Sequence, residues 1–257
     1  VMKNALGLSN KKLLYSDVEN KIYVYEIQNG YKTQKCLMFG EDVFALRQGC
    51  VYTKFEDKIS LEYQKIMLLG VGFSKDAKNI LMLGFGIGTM TTELMTEFPE
   101  SKIDIVEINP KLPEVAEKYF DFKPGKNVRF FIQDAYDFVL ENGHKKYDII
   151  FLDVFDESYI PPQFLRKLFF ESLGRLLSKN GVIIINTFST SKTYTQETEL
   201  IKFVFENSLQ IKSSNRLIFA KKEIFGEGDL KLTNKARDRF EYKKYKKGIL
   251  DMSEKYV

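Results

Sequence analysis

One glycine turn and four carboxylates follow one another through the middle of the chain: Gly84-Phe85-Gly86-Ile87-Gly88, Glu107 in VEINP, Asp134 in QDAY, and Asp153 with Asp156 in LDVFD. Such a turn brings backbone N–H groups close to a ligand. The third glycine comes two places after the second, so this is not the dinucleotide fingerprint G-x-G-x-x-G, and the absence of lysine excludes a P-loop. Glu107 lies 23 positions after Gly84, where a carboxylate can accept from both hydroxyls of a ribose. Asp134 can accept from an adenine amino group while the N–H of Ala135 meets a ring nitrogen. Asp153 and Asp156 then fall where the reacting end of the ligand would lie. Hydrogen-bonding carboxylates without a phosphate cradle point to an adenosine that carries no phosphate. A sulfonium nucleoside, S-adenosylmethionine or its decarboxylated form, also brings a positive sulfur that suits an acidic pocket. Each residue has a plainer reading as well: glycines for tight packing, Glu107 as a helix N-terminal residue, Asp156 as a helix N-cap.

These residues need elements that bring them to one edge. NILMLGFG, SKIDIVEINP, VRFFIQDAY, YDIIFLDVFD and GVIIINTF read as apolar strands, separated by the helical patterns TMTTELMTEF, KLPEVAEKYF, DFVLENG and PQFLRKLFFESLGRLL. Strands alternating with helices specify a parallel, doubly wound sheet, whose ligands lie across the carboxyl ends of the strands. SLQIKSSNRLIFAKK reads as a closing antiparallel pair. Upstream, KIYVYEI and KCLMFG flank Asn29-Gly30, a hairpin signal, and SLEYQKIMLLGVGF has helical spacing that ends in glycines. The expected architecture is α/β: a small β domain over residues 1–59, then a Rossmann-like, methyltransferase-type sheet over 60–257.

Composition narrows the chemistry. With 257 residues and 44% hydrophobic content the chain can fill a substantial core. Its single histidine, His144, sits in the polar stretch ENGHKKYD and reads as a surface residue, so zinc sites of the His/Cys type and histidine triads lack material. No metal is expected, and acid–base work falls to carboxylates, tyrosines or lysines. No apolar run reaches the length of a membrane helix, and VMKNALGLSNKKLL lacks a signal-peptide apolar region, so the expectation is a cytoplasmic protein that engages no membrane. In that compartment Cys36 and Cys50 are expected as reduced thiols. The net charge of +4 gathers in KKEIFGEGDLKLTNKARDRFEYKKYKKG, where acidic residues interleave the basic ones. A solvated helix and tail is the expected reading, rather than a nucleic-acid patch.

ILMLGFGIGT, VEINP, QDAYDFV, YDIIFLDVFDESYIPPQF and GVIIIN, in that order, resemble the spermidine synthase family of aminopropyltransferases, in its divergent bacterial spermidine-synthase-like branch. MFGEDVFALRQGCVYTKFEDKISLEYQKIM is similar to that family's connection between its β domain and its catalytic domain, and the resemblance runs from about Tyr23 to Ala220. It implies a homodimer in which decarboxylated S-adenosylmethionine donates an aminopropyl group to an amine. By position, Glu107 would hold the ribose, Asp134 the adenine, and Asp153 would orient and deprotonate the attacking amine, with Gln48, Tyr63 and Tyr159 on the substrate side.

The chain departs from the family pattern at the turn, where the family's Gly-Gly-Gly-Asp-Gly becomes a sequence with Ile87 in the aspartate's place. Tyr-His-Glu becomes Tyr63-Gln64-Lys65, and Asp-x-x-Asp is kept as Asp153-Val154-Phe155-Asp156. An aspartate at the turn would grip the lone ammonium of the decarboxylated donor and repel the carboxylate of S-adenosylmethionine. At an effective dielectric of about 20, such a like-charge contact costs about 4 kcal/mol. Ile87 removes that discrimination. The sequence therefore implies a transferase that alkylates an amine from an adenosyl sulfonium. The alternatives are an S-adenosylmethionine-dependent methyltransferase and a noncatalytic nucleoside-binding protein.

Overall fold

The computed structural model describes residues 10–40, 47–54, 59–74, 77–154, 161–225, 234–245 and 248–251. In chain order the elements are β1 (Lys11–Asp17), β2 (Ile22–Asn29), β3 (Lys32–Phe39), β4 (Arg47–Tyr52), α1 (Glu62–Leu69), β5 (Asn79–Leu83), α2 (Thr89–Glu97), β6 (Lys102–Glu107), α3 (Leu112–Tyr119), β7 (Val128–Ile132), α4 (Ala135–Glu141), β8 (Tyr147–Leu152), α5 (Lys167–Leu176), β9 (Leu177–Phe188), α6 (Tyr194–Val204), β10 (Asn207–Lys212), β11 (Asn215–Lys221), α7 (Asn234–Arg239), α8 (Tyr242–Tyr245) and β12 (Leu250–Asp251). They form two compact units, one of residues 1–62, 85–93 and 109–124, the other of 63–84, 94–108 and 125–257.

In the first unit β1, β2, β3 and β4 make an antiparallel meander in sequence order. The hairpin expected at Asn29-Gly30 forms one residue later: Asn29 ends β2 and pairs with Lys32, so the two-residue loop is Gly30-Tyr31, with Gly30 at φ 61° supplying the left-handed first position. The register sets Cys36 directly opposite Cys50, and the two buried sulfurs are joined in a disulfide beneath Ile27 and Tyr25. This corrects the expectation of reduced thiols, which rested on compartment and could not see that the β3–β4 register makes the two residues partners. Gly49, beside Cys50, has no side chain because Ile87 occupies its space: a Cβ there would lie 2.7 Å from Ile87 Cγ1.

The second unit holds an eight-stranded sheet of order β12-β10-β11-β9-β8-β5-β6-β7. β5 through β9 run parallel, and β10, β11 and β12 close the edge antiparallel. The doubly wound reading is borne out. The central strands are nearly continuous apolar runs because helices bury them: Phe138 of α4, Phe169 and Leu173 of α5, and Ile201 of α6 pack on Leu81, Ile150, Ile183 and Ile218. β9 begins earlier than GVIIINTF predicts, yet its pairing with β8 jumps from Tyr147↔Leu177 to Ile149↔Val182, so Ser178–Gly181 leave the ladder as a turn would. The helical pattern PQFLRKLFFESLGRLL divides into a short 3₁₀ turn, Pro162–Phe164, and α5. Helix α6 is an addition to the sequence reading. Its buried Glu197 accepts from Thr187 Oγ1 at 2.5 Å, Ser191 Oγ at 2.8 Å and Thr193 Oγ1 at 2.6 Å. It also faces the fully buried Arg216 at 3.9 Å, which donates to Gln210 and Thr198. No helix among the described residues is long and apolar enough to cross a membrane.

The Ile87–Gly49 fit makes a direct prediction. Gly49→Ala overpacks a filled site and costs about 1–3 kcal/mol in chemical denaturation. Ile87→Ala in the same chain should remove most of that added cost; additive effects in a double-mutant cycle would contradict the fit.

Candidate active site

The parallel register fixes which residues share the sheet's carboxyl edge. Val106, Leu83, Leu152 and Ile185 lie side by side across β6, β5, β8 and β9. The next residue along each strand is therefore Glu107, Gly84, Asp153 and Asn186, a row about 14 Å wide at the usual strand spacing. The chain runs outward from β5 through β6 to β7, then returns to β8 on the other side of β5. Gly84 and Asp153 thus flank the reversal of strand order, the place where open α/β sheets bind ligands.

Gly84 is set there by two constraints. Its φ of 96° lies in the left-handed region, and a Cβ would run into the backbone oxygen of Asp153. The N–H of Gly84 donates to Val106 O at 2.9 Å, and that of Asp153 donates to Leu83 O at 2.9 Å, so both strand ends stay in the ladder as the chain leaves it. Glu107 is buried and ends β6. The helix-N-terminal reading of Glu107 does not hold, because the next helix starts at Leu112 and the N–H of Lys111 is capped by Asn109 Oδ1. Asp134 follows β7 and is the N-cap of α4, its Oδ1 accepting from Tyr136 N at 2.7 Å. Ala135 opens that helix, where the first N–H groups have no intrahelical acceptor.

Asp153 has a perturbed carboxyl. Asn186 Nδ2 donates to Oδ1 at 2.9 Å, and the Tyr63 hydroxyl donates to Oδ2 at 3.4 Å. Removal from water pushes its pKa up to about 6, against the pull of those two donors. Tyr63 is itself held well above the usual phenol range, first by burial and then by the Asp153 charge. Lys65, two residues on, turns to Glu241 at 2.6 Å and is neutralised there. Glu241 is lowered by that contact.

The structure brings together Gly84, Glu107, Asp134, Ala135, Asp153 and Tyr63 in the second unit. Gly86, Gly88 and Gln48 belong to the first. There, Gln48 is the residue where the β3–β4 register shifts, and its carbonyl is the nearest group to a Cβ built on Gly86, at 3.9 Å. Gly86 and Gly88 have φ of 61° and 78°. Asp156 and Tyr159 lie outside the described residues. Sequence reasoning missed two residues. Asn186, 3% exposed, was legible as an amide inside the apolar run VIIIN. Ile108, 67% exposed beside the buried Glu107, offers an apolar surface.

The raised Asp153 has a measurable consequence. Its ordinary value is 3.8, and a folded value near 6 means that the fold prefers the protonated form. Stability from this group is full below pH 3.8 and is lost as pH rises through about 6. Asp153→Asn, neutral at every pH, should stabilise the fold at pH 8 by up to ~3 kcal/mol. That advantage should vanish at pH 4, as read by urea unfolding. Equal stability at both pH values would show that burial does not perturb the carboxyl.

Residues 60–227 match the spermine/spermidine synthase domain family. A polyamine aminopropyltransferase of Vibrio vulnificus is 36% identical over 220 residues, 83% of this chain and 71% of that protein. An eEF1A lysine and N-terminal methyltransferase of Xenopus laevis is 28% identical over 141 residues, 49% of this chain but 20% of that protein. Among solved structures, a probable spermidine synthase from Corynebacterium glutamicum shares the fold with a TM-score of 0.68 at 19% identity, covering 84% of this chain and 81% of that one. The fold and the extent of the family match agree with the resemblance drawn from the motifs: this chain belongs to the spermine/spermidine synthase family and is a transferase.

Proposed function

We propose that the chain transfers an alkyl group from an adenosyl sulfonium donor to the nitrogen of a small amine, with Asp153 receiving the amine's proton. The observation that carries this reading is a buried carboxyl at the strand-order reversal, between Gly84 and Asn186, its pKa pushed up to about 6, with the carboxylates of Glu107 and Asp134 farther along the same sheet edge. In this reading Glu107 holds the ribose hydroxyls and the free oxygen of Asp134 accepts from the adenine amino group. The Ala135 N–H meets a ring nitrogen, and Ile108 covers a face of the base. Asp156 and Tyr159 are assigned by position alone, to an anchor for a second cationic group and to the amine channel.

Such a transfer demands positioning more than covalent help, because nitrogen must attack a carbon on sulfur in line with the departing thioether. An ammonium has no lone pair and cannot attack. Ionised Asp153 attracts it, and the nearby sulfonium then disfavours its charge and lowers its pKa toward that of the carboxyl. Oδ2 is the oxygen to take the proton, since Asn186 occupies Oδ1 at the shorter distance. The neutral amine attacks, the C–S bond breaks, and its electron pair leaves on sulfur as a neutral thioether.

Methyl transfer from S-adenosylmethionine is a second reading, favoured by one observation. Ile87 is 3% exposed and packed against Gly49, so the glycine turn offers no carboxylate at that position for a lone ammonium tail. Titration calorimetry with S-adenosylmethionine and its decarboxylated form, at one pH and salt, separates the two. Tighter binding of the decarboxylated donor supports aminopropyl transfer, tighter binding of S-adenosylmethionine supports methyl transfer, and no binding of either sinks both. Once the donor is known, Asp153→Asn should lower turnover by about 10²–10⁴-fold while donor affinity stays within about twofold. Unchanged turnover would remove Asp153 from the chemistry.

A further inference from the structure

Asn186 is held by a further amide. Asn215, the first residue of β11, donates from Nδ2 to Asn186 Oδ1 at 3.0 Å, and its own Oδ1 accepts from Ser214 Oγ at 3.2 Å. The bonds all run one way, from Ser214 hydroxyl to Asn215 amide to Asn186 amide to the Asp153 carboxylate. A side-chain amide donates from one end and accepts at the other, so fixing the outer amide fixes the polarity of the inner one. β11 pairs antiparallel with β9, setting Asn215 opposite Phe188 and within reach of Asn186. The next residue of each strand locks the pair from behind: Thr187 bonds the buried Glu197, and Arg216 faces that same carboxylate.

We propose that Asn215 is a positioning residue of the active site, acting through Asn186 to keep Asp153 Oδ1 as a permanent acceptor and leave Oδ2 as the atom that takes the proton. The proposal deepens the reading in which Asp153 receives the amine's proton, and it rests on that reading for its catalytic meaning. Two uncharged amides in series let a buried carboxylate be stabilised without a cation. A cation there would compete with an ammonium for the same oxygens. Among the described residues, the groups facing Asp153 are Tyr63 from α1, Asn186 from β9 and the backbone of Gly84 after β5. Of these only Tyr63 titrates, far above neutral pH.

Two substitutions of similar shape test the relay. Asn215→Asp replaces the donor with an acceptor, which turns Asn186 round so that its oxygen faces Asp153. Asn215→Leu removes the donor and leaves Asn186 without a fixed polarity. Carboxyl ¹³C NMR, with Asp153→Asn to assign the signal, reads the Asp153 midpoint directly and needs no substrate. The midpoint should rise by about one pH unit or more in Asn215→Asp and by less in Asn215→Leu, whatever their melting temperatures. Midpoints unmoved in the folded variants overturn the proposal. The wild-type chain supplies an independent reading: the side-chain amide signals of Asn186 and Asn215 should both titrate with the midpoint of Asp153. An Asn215 signal that stays flat also overturns it. If no adenosyl donor binds, the proposed function fails, while these titrations still decide whether the relay exists.

Discussion

The close approach of two strand ends at Gly84 and Asp153 is the constraint on which the rest of the second unit depends. Any side chain at Gly84 would collide with the Asp153 carbonyl, so β5 and β8 remain adjacent through their last residues only because position 84 is a glycine. That adjacency places Asp153 at the reversal of strand order, the place where open α/β sheets bind ligands. Burial then raises its pKa, and two donors keep it from rising further. A carboxyl near 6 is a compromise between these opposing effects. Without the donors the value would lie higher, and without the burial it would fall back toward that of an ordinary carboxylate.

The polar residues at the end of β9 look misplaced after Val182-Ile183-Ile184-Ile185, all fully buried. Alternation along the strand explains them. Asn186 points to the site and Thr187 to the opposite face, where it meets Glu197 of α6. Glu197 and Arg216 are both buried, an arrangement whose desolvation cost is offset only because three hydroxyls satisfy the carboxylate and the guanidinium stacks 3.9 Å from the Tyr194 ring. A network of this kind is a poor source of stability and a good source of registration. It fixes β11 against β9, and through that pairing it fixes the amides beside Asp153.

What the sequence made legible follows from how each feature is encoded. Strands buried on both faces announce themselves as apolar runs, so β5, β6, β8 and β9 could be read directly, and with them the carboxyl-edge positions of Gly84, Glu107 and Asp153. Helix α6 was not readable in the same way, because TYTQETELIKFV spends its buried positions on Glu197 as well as on Ile201. Periodicity counts apolar residues and is blind to a satisfied carboxylate. The Cys36–Cys50 bond depends on a register that only the folded β3–β4 pair defines. Asn186 and Asn215 stand 29 residues apart in sequence, and their partnership exists only once β11 turns back on β9. Lys65 shows the converse: its sequence position left its direction open, and a glutamate 176 residues away settles it.

The glycine turn is where the sequence departs from the family pattern that it resembles, with Ile87 in the aspartate's place. Replacing an acidic side chain with Ile87 could have left a gap at the turn. Here the isoleucine is instead packed into room that exists because Gly49 has no Cβ. Gly49 lies between Gln48, where β4 slips its register, and Cys50, which is covalently tied to Cys36. The niche therefore borders backbone of β4, where Gly49 pairs with Leu37 of β3. A charge forced into it would meet hydrocarbon and lose its hydration without gaining a partner. The apolar character of the turn is thus set by the first unit's own packing, through the room that Gly49 leaves for Ile87.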